Sequence, residues 1–329
     1  MNRDKVVVTG GMGFIGRNIC ELLLSEGYEV HIIDNYCTTD LKGINNYKYK
    51  IYKDHSEYLL NNLEDQNDGV IFHRMTILNM KRIPEVMKDA KYVFHTAAVP
   101  RVEPSIQNPL ESNSINIQGS LAIFFAAKEA GVERIIFSSS SSVYGANPQL
   151  PKVETMRTEP LSPYAVAKLA AENYCSVYHR LYGLETVSLR YFNVFGPRQD
   201  PNSPYSGVVS RFIDAIKNEK QPTIYGDGEQ TRDFTYVDNV AQANFVACHE
   251  DKAAGGVYNI GCQVRVSINE LWHQMVEFSG SNLTAVYGPH RAGDVPHSLA
   301  DISAARRDLN FDPQVGVGQG LKSTLKFYL

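Results

Sequence analysis

The sequence predicts an α/β fold: a doubly wound parallel sheet with a smaller C-terminal α/β lobe. Three observations predict it. Short β-branched runs alternate with longer amphipathic stretches through the first half of the chain. A glycine-rich turn joins the first such run to the first amphipathic stretch. After Asn193 the composition shifts to loops marked by Gly196, Pro197, Pro201, Pro204, Pro222, Gly226 and Gly228, which suit a binding lobe better than more regular sheet. With 329 residues and 43% hydrophobic composition, the chain is long and apolar enough to bury a core as one large domain or two joined ones.

Taken in order, Val6 to Val8 form the first strand and lead into glycines. Apolar residues from Ile15 to Leu24 recur at helical spacing, and Glu29 to Ile33 form a second strand that ends at Asp34, completing one βαβ unit. Further strands are expected at Val70 to Arg74, Tyr92 to Thr96, Arg134 to Ser138 and Thr186 to Arg190. Helices are expected over Leu110 to Ala130 and Pro163 to Tyr182. The expected division is a nucleotide-binding domain over 1–192 and a mainly substrate-binding lobe over 193–329, with the chain re-entering the first domain around 233–262.

A formal net charge of -4, with acidic and basic residues interspersed, leaves no basic stripe for nucleic acid and no polybasic arm for a membrane surface. No apolar leader or membrane-spanning stretch is expected, so the default location is cytoplasmic and the natural partner is a small molecule. The five cysteines are scattered, without C-x-x-C or zinc-type spacing, and read as reduced structural thiols. No metal is expected, because the nine histidines include no H-x-x-x-H pair.

Thr9-Gly10-Gly11-Met12-Gly13-Phe14-Ile15-Gly16 follows a strand and opens a helix, the context that a dinucleotide fingerprint requires. Glycines let backbone N–H groups approach a pyrophosphate, whose charge is favoured at the start of the helix. Asp34 is placed to accept from both adenosine ribose hydroxyls and to repel a 2′-phosphate, so NAD is expected rather than NADP. The cofactor site is therefore read at Gly10, Gly13, Phe14, Ile15, Gly16, Asp34 and Asn35. Between Asn35 and Gly69 the Tyr/Lys/Asn-rich chain lacks periodicity and is read as a surface loop plus a short helix over the cofactor edge.

Tyr164 and Lys168, four residues apart, face one side of a helix. Tyr49 and Lys53 share that spacing, but only Tyr164 has Ser162 as N-cap and Pro163 in the first turn. Upstream, Ser138 to Ser142 lie at the carboxyl end of a strand, where open α/β sheets bind ligands. A tyrosine acting as a base near neutral pH needs its phenolate favoured, and the Lys168 ammonium supplies a charge that does so.

The runs TGGMGFIG, SSSSSVYG, SPYAVAK, RYFNVFGPRQDPNSPYSG, YGDGEQTRDFTYVDNV and HRAGDVPHSLAD, spread over nearly the whole chain, resemble the nucleotide-sugar 4-epimerases of the extended short-chain dehydrogenase/reductase family, which have a Rossmann-type sheet. The likeness is to enzymes acting on UDP-glucose or UDP-N-acetylglucosamine. It implies that Ser140 and Tyr164 share the sugar O4, with Tyr164 as base and Lys168 as its modulator. It also implies that Asn193 contacts the sugar diphosphate region, that Arg232 and Arg291 clamp the diphosphate, and that Asp294 holds the uridine ribose. By the same likeness Arg101, Ser141, Ser142, Val208 and Tyr225 belong to the substrate site, and Thr76, Ile77, Ala97, Ala98, Asn116, Tyr164 and Lys168 to the cofactor site. Ser298 stands where enzymes restricted to non-acetylated hexoses carry a bulky tyrosine, so room for an N-acetyl group is expected.

The chain departs from the family at Met75-Thr76-Ile77, where Gly-Asp-Ile is usual and the aspartate meets the adenine. Pro100 and Arg101 stand where some relatives have lysine or serine, so sugar contacts there are expected to differ. Two other readings compete with it: a 4,6-dehydratase or decarboxylase of the same fold, and a non-catalytic NAD-sensing regulator. Dehydratases carry Thr-Asp-Glu before Val-Tyr-Gly, whereas Ser140, Ser141 and Ser142 lack both carboxyls. Retention of Tyr164 and Lys168 argues against a dead regulator. The resemblance further implies a homodimer packed through the helices near Leu110 to Ala130 and Pro163 to Tyr182.

Overall fold

A computed structural model describes residues 3–35, 50–53, 56–59, 70–100, 102–199, 207–290 and 295–329. Its main sheet has nine strands, in the spatial order Val257–Ile260, Glu185–Tyr191, Arg134–Ser140, Ala90–His95, Lys5–Thr9, Glu29–Asp34, Val70–Arg74, Lys50–Lys53 and Ser56–Leu59. Lys5–Thr9 runs parallel to neighbours on both sides, Glu29–Asp34 and Ala90–His95. Strand order therefore reverses at the first strand, and the switch point lies beyond Thr9 and His95, where such sheets open a ligand crevice. Val6, Val7 and Val8 are fully buried, as a central parallel strand covered on both faces requires.

Contact between residues divides the chain into two units. The first comprises Met1–Ser139, Ser162–Leu189 and Ala241–Val257; the second comprises Ser140–Leu161, Arg190–Val240 and Tyr258–Leu329. A single boundary after 192 does not describe this path. The segment Ser140–Leu161 belongs to the second unit, and the chain returns to the first over Ala241–Val257, inside the span 233–262. The reason is that the continuation of Arg134–Ser140 packs with the later residues of the second unit, as the hydrogen bond from Tyr144 Oη to Asn259 Oδ1 (2.7 Å) illustrates. The first unit packs its helices on Val93, Phe124, Ile135 and Phe137; the second is built around Phe195, Phe212, Leu271, Trp272 and Leu321.

Two elements depart from expectation. Within Asn35–Gly69, Lys50–Lys53 and Ser56–Leu59 form an antiparallel strand pair that extends the sheet beyond Val70–Arg74, where a surface loop was expected. The short helix expected in that segment lies outside the described residues. The helix expected over Leu110 to Ala130 is instead three pieces: Pro109–Asn113, a π-helical turn Ser114–Gly119 and Ser120–Glu129. Asn116 sits in that turn and clamps another segment, which a regular helix would aim elsewhere. The helix Pro163–Tyr182 has its expected bounds: Ser162 Oγ accepts from the Ala165 N–H (3.2 Å), Pro163 occupies the first turn and Gly183 ends it in a left-handed conformation.

Candidate active site

In the first unit the glycine turn is held from both ends. The Gly10 N–H donates to the Ile33 carbonyl (2.8 Å), and a Cβ on Gly10 would lie 2.7 Å from the Ala97 backbone. Gly10 adopts φ +70°, and a Cβ on Gly16 would run into the Gly10 carbonyl. The helix Phe14–Ser25 begins at Gly13 with no side chain capping its first turn and no acidic residue in it. Its free N–H groups, including those of Phe14 and Ile15, thus suit a pyrophosphate. Asp34 Oδ2 accepts from the Met12 N–H (3.0 Å), which sets the carboxylate beside the same turn, and Asn35 follows it on the surface. These features fit NAD.

Asn116 is buried and its amide is committed: Oδ1 accepts from the Val99 N–H (2.8 Å), while Nδ2 donates to the Val99 carbonyl (3.0 Å) and to Ser112 Oγ (3.3 Å). It clamps the segment after Ala97 and Ala98. The Ile77 side chain turns into the core against Gly119. Thr76 Oγ1 accepts from the Leu78 N–H (3.3 Å).

A buried chain of hydrogen bonds links these segments. The Ala97 N–H donates to Thr9 Oγ1 (3.3 Å), which lies 2.7 Å from His95 Nδ1; His95 Nε2 lies 2.9 Å from Ser120 Oγ. Ser120 Oγ donates to the Asn116 carbonyl (2.7 Å), so it accepts from His95, and Nδ1 accepts from Thr9. Burial, with Lys168 nearby, pushes His95 down to about 3, which keeps the imidazole neutral in this role.

Tyr164 and Lys168 stand on the first turns of Pro163–Tyr182, and the Tyr164 N–H donates to Ser105 Oγ (3.0 Å). Lys168 is buried, with Nζ donating to the Ser138 carbonyl (2.7 Å) and lying 5.9 Å from the centre of the Tyr164 ring. Burial pushes its ammonium down to about 8, against the pull of Glu172. The serine run divides its work. Ser138 supplies a carbonyl to Lys168, Ser139 donates to Glu172, and Ser140 ends the strand with its Oγ accepting from the Ser142 N–H (3.2 Å).

In the second unit Ser141–Tyr144 form a 3-10 turn, and among the described residues Ser142 Oγ is buried without a partner. Tyr144 anchors the turn: its hydroxyl donates to Asn259 Oδ1 and accepts from Arg190 (2.9 Å). Asn193, at φ +25°, donates to the Asp233 carbonyl and to Ser298 Oγ (both 3.2 Å). Ser298 is half-buried and its N–H donates to the Thr231 carbonyl (3.1 Å), so it does not merely cap an exposed turn. Arg232 spans the same strands, donating to the Thr231 (3.0 Å) and Pro296 (3.1 Å) carbonyls. Asn193, Arg232 and Ser298 thus converge. Val208 begins the helix Val208–Lys217 and Tyr225 ends the strand Thr223–Tyr225, separate from that cluster in the chain. Arg101, Arg291 and Asp294 lie outside the described residues.

Residue typing missed Asp233, whose carboxylate accepts from the N–H groups of Cys262 (2.8 Å), Gln263 (3.1 Å) and Ala300 (3.0 Å). Burial pushes it up to about 6 against the pull of those amides. The available signal was a charge beside the apolar run Phe234 to Val237.

Among the described residues no helix is long and apolar enough to cross a membrane, and no three His, Cys, Asp or Glu side chains gather as metal ligands. A family model described as the NAD dependent epimerase/dehydratase family matches residues 6–261. A putative UDP-glucose 4-epimerase of Methanocaldococcus jannaschii is 35% identical over 323 residues, which are 98% of this chain and 97% of that relative. A UDP-N-acetyl-alpha-D-glucosaminuronate decarboxylase of Bacillus cytotoxicus is 31% identical, covering 99% of this chain and 98% of the relative. Of solved structures, the UDP-N-acetylglucosamine 4-epimerase of Methanobrevibacter ruminantium M1, in complex with UDP-N-acetylmuramic acid, is 39% identical with a TM-score of 0.88, covering 99% of this chain and 98% of its own. The chain belongs to the NAD-dependent epimerase/dehydratase family, as an NAD-using enzyme of its UDP-sugar 4-epimerase branch.

Proposed function

We propose that the protein inverts C4 of UDP-hexoses, including UDP-N-acetylglucosamine and UDP-N-acetylgalactosamine, through a transient 4-keto sugar. The observation that carries this reading is a tyrosine at the start of a well-capped helix with a buried, hydrogen-bonded lysine one turn on. Tyr164 takes the proton of the C4 hydroxyl, Ser140 shares that hydroxyl, and Lys168 supplies the positive charge that favours the phenolate. NAD, when bound, supplies reversible oxidation at C4. Tyr164 returns its proton when the ketone is reduced from the opposite face. Dehydration or decarboxylation is disfavoured, because Ser140, Ser141 and Ser142 bring no carboxyl to the turn.

Acceptance of the N-acetyl group is assigned to Ser298. A small hydroxyl there leaves space that a tyrosine would fill, and close-packed pockets do not relax around several extra atoms. The test is a coupled assay on UDP-glucose, UDP-galactose, UDP-N-acetylglucosamine and UDP-N-acetylgalactosamine with native enzyme and Ser298→Tyr. Native enzyme should turn over the acetylated pair, and the variant should lose them selectively. Turnover of non-acetylated sugars alone by native enzyme would sink the assignment, as would full acetylated activity in the variant. Equal loss on all four sugars would instead mark the Asn193 hydrogen bond as what the substitution breaks.

The active form is proposed to be a homodimer. Leu110 and Leu181 are 83% and 72% exposed, and Phe125, Val166 and Tyr182 add to the apolar surface of the same two segments. Light scattering at micromolar concentration should report a dimer, and Leu181→Asp should shift it to monomer. A native monomer would refute this.

A further inference from the structure

Four residues beyond Lys168, on the same helix face, stands Glu172. Both side chains are almost wholly buried, at 4% and 5% exposure. Burying an ammonium and a carboxyl is costly unless each is partnered. Both are partnered by consecutive residues of one strand end: Lys168 Nζ donates to the Ser138 carbonyl (2.7 Å), and Ser139 Oγ donates to Glu172 Oε1. The helix is thus fastened to the end of Arg134–Ser140 through the very lysine that serves the base.

We propose that Glu172, with Ser139 as its donor, is a positioning residue for proton transfer, which holds Lys168 against the strand end and keeps it charged. The proposal rests on the role given above to Lys168.

The groups around Lys168 favour this role for Glu172. Tyr164, Glu172 and Cys175 share its helix, the Phe137 ring lies 4.9 Å from Nζ, and His95 approaches from the strand Ala90–His95. Burial holds His95 neutral at about 3 and pushes the Cys175 thiol up to about 12, so both are uncharged near pH 7. Desolvation drives the Lys168 proton off, and Glu172 is foremost among the groups that oppose it. Without that acid, Lys168 loses its proton at a lower pH and the phenolate loses its support there. The sign is therefore fixed: the alkaline limb of the kcat profile moves to lower pH, while the acid limb, where Lys168 stays charged in either form, moves less.

Glu172→Gln keeps the shape and removes the charge. Its alkaline limb should fall by about one pH unit, the size typical of one close charge, with KM little changed, and Glu172→Asp should restore part of the shift. Lysine side-chain NMR, with the Lys168 signal assigned by its loss in Lys168→Met, should show Lys168 titrating lower in Glu172→Gln. A purely packing role would lower kcat by the same factor at every pH and leave that titration in place, and this result would overturn the proposal. Should Glu172→Gln not fold, Ser139→Ala decides: an unshifted profile overturns the proposal, and a shift in the same direction supports it. Full turnover by Lys168→Met would sink the functional reading itself, whereas failure of the Glu172 variants beside an inactive Lys168→Met would sink only this inference.

Discussion

Tyr164→Phe is expected to lower turnover by about 10²- to 10⁴-fold, the range that a positioned acid–base group contributes, while leaving fold and NAD content unchanged. The reasoning is local. The substitution removes one phenolic oxygen and nothing that holds the helix: the Ser162 cap, Pro163 and the backbone bond to Ser105 all remain. Lys168→Ala should act in the same direction with an added signature. Withdrawing the positive charge makes the phenolate harder to form, so the acid limb of the pH-rate profile should move to higher pH. Steady-state kinetics across pH, with nicotinamide nucleotide measured after denaturation, checks both variants. Near-normal turnover by the phenylalanine variant would remove Tyr164 from the mechanism.

Gly16→Ala should weaken NAD binding by about 10- to 100-fold, taking overpacking at about 1–3 kcal/mol and tenfold in affinity per 1.4 kcal/mol. The new Cβ would strike the Gly10 carbonyl, and Gly10 has no room to retreat. Its N–H is bonded to Ile33, its own missing Cβ marks the approach of Ala97, and Thr96 Oγ1 donates to the Thr9 carbonyl beside it (2.7 Å). The strain therefore falls on the pyrophosphate cradle. Native protein should release NAD(H) on denaturation and the variant should release little, with calorimetry giving the affinity ratio. Unchanged nucleotide content would show that the turn tolerates the methyl group.

Legibility in the sequence tracked the range of the interaction. The helix Pro163–Tyr182 was readable to its ends, because a serine cap, an N-terminal proline and a C-terminal glycine act within one turn of where they stand. Val70–Arg74 was equally plain as a short apolar run. By contrast, the break at Ser114–Gly119 depends on Asn116 reaching Val99, a contact across 17 residues that no periodicity encodes. Asp233 escaped notice for the same reason, since its three partners come from two distant segments.

The sequence by itself determined six consecutive strands of the sheet, the glycine turn with Asp34, and the pairing of Tyr164 with Lys168, because strand alternation, turn chemistry and helical spacing are local properties of the chain. The tertiary structure alone decided which polar groups each site residue answers to. It committed the Asn116 amide to Val99, brought Asn193 and Ser298 to one hydrogen bond, and tied Lys168 and Glu172 to the consecutive residues Ser138 and Ser139. The physical reason is that a buried polar group must find its partner wherever folding brings one, and that partner is chosen by packing rather than by position along the chain.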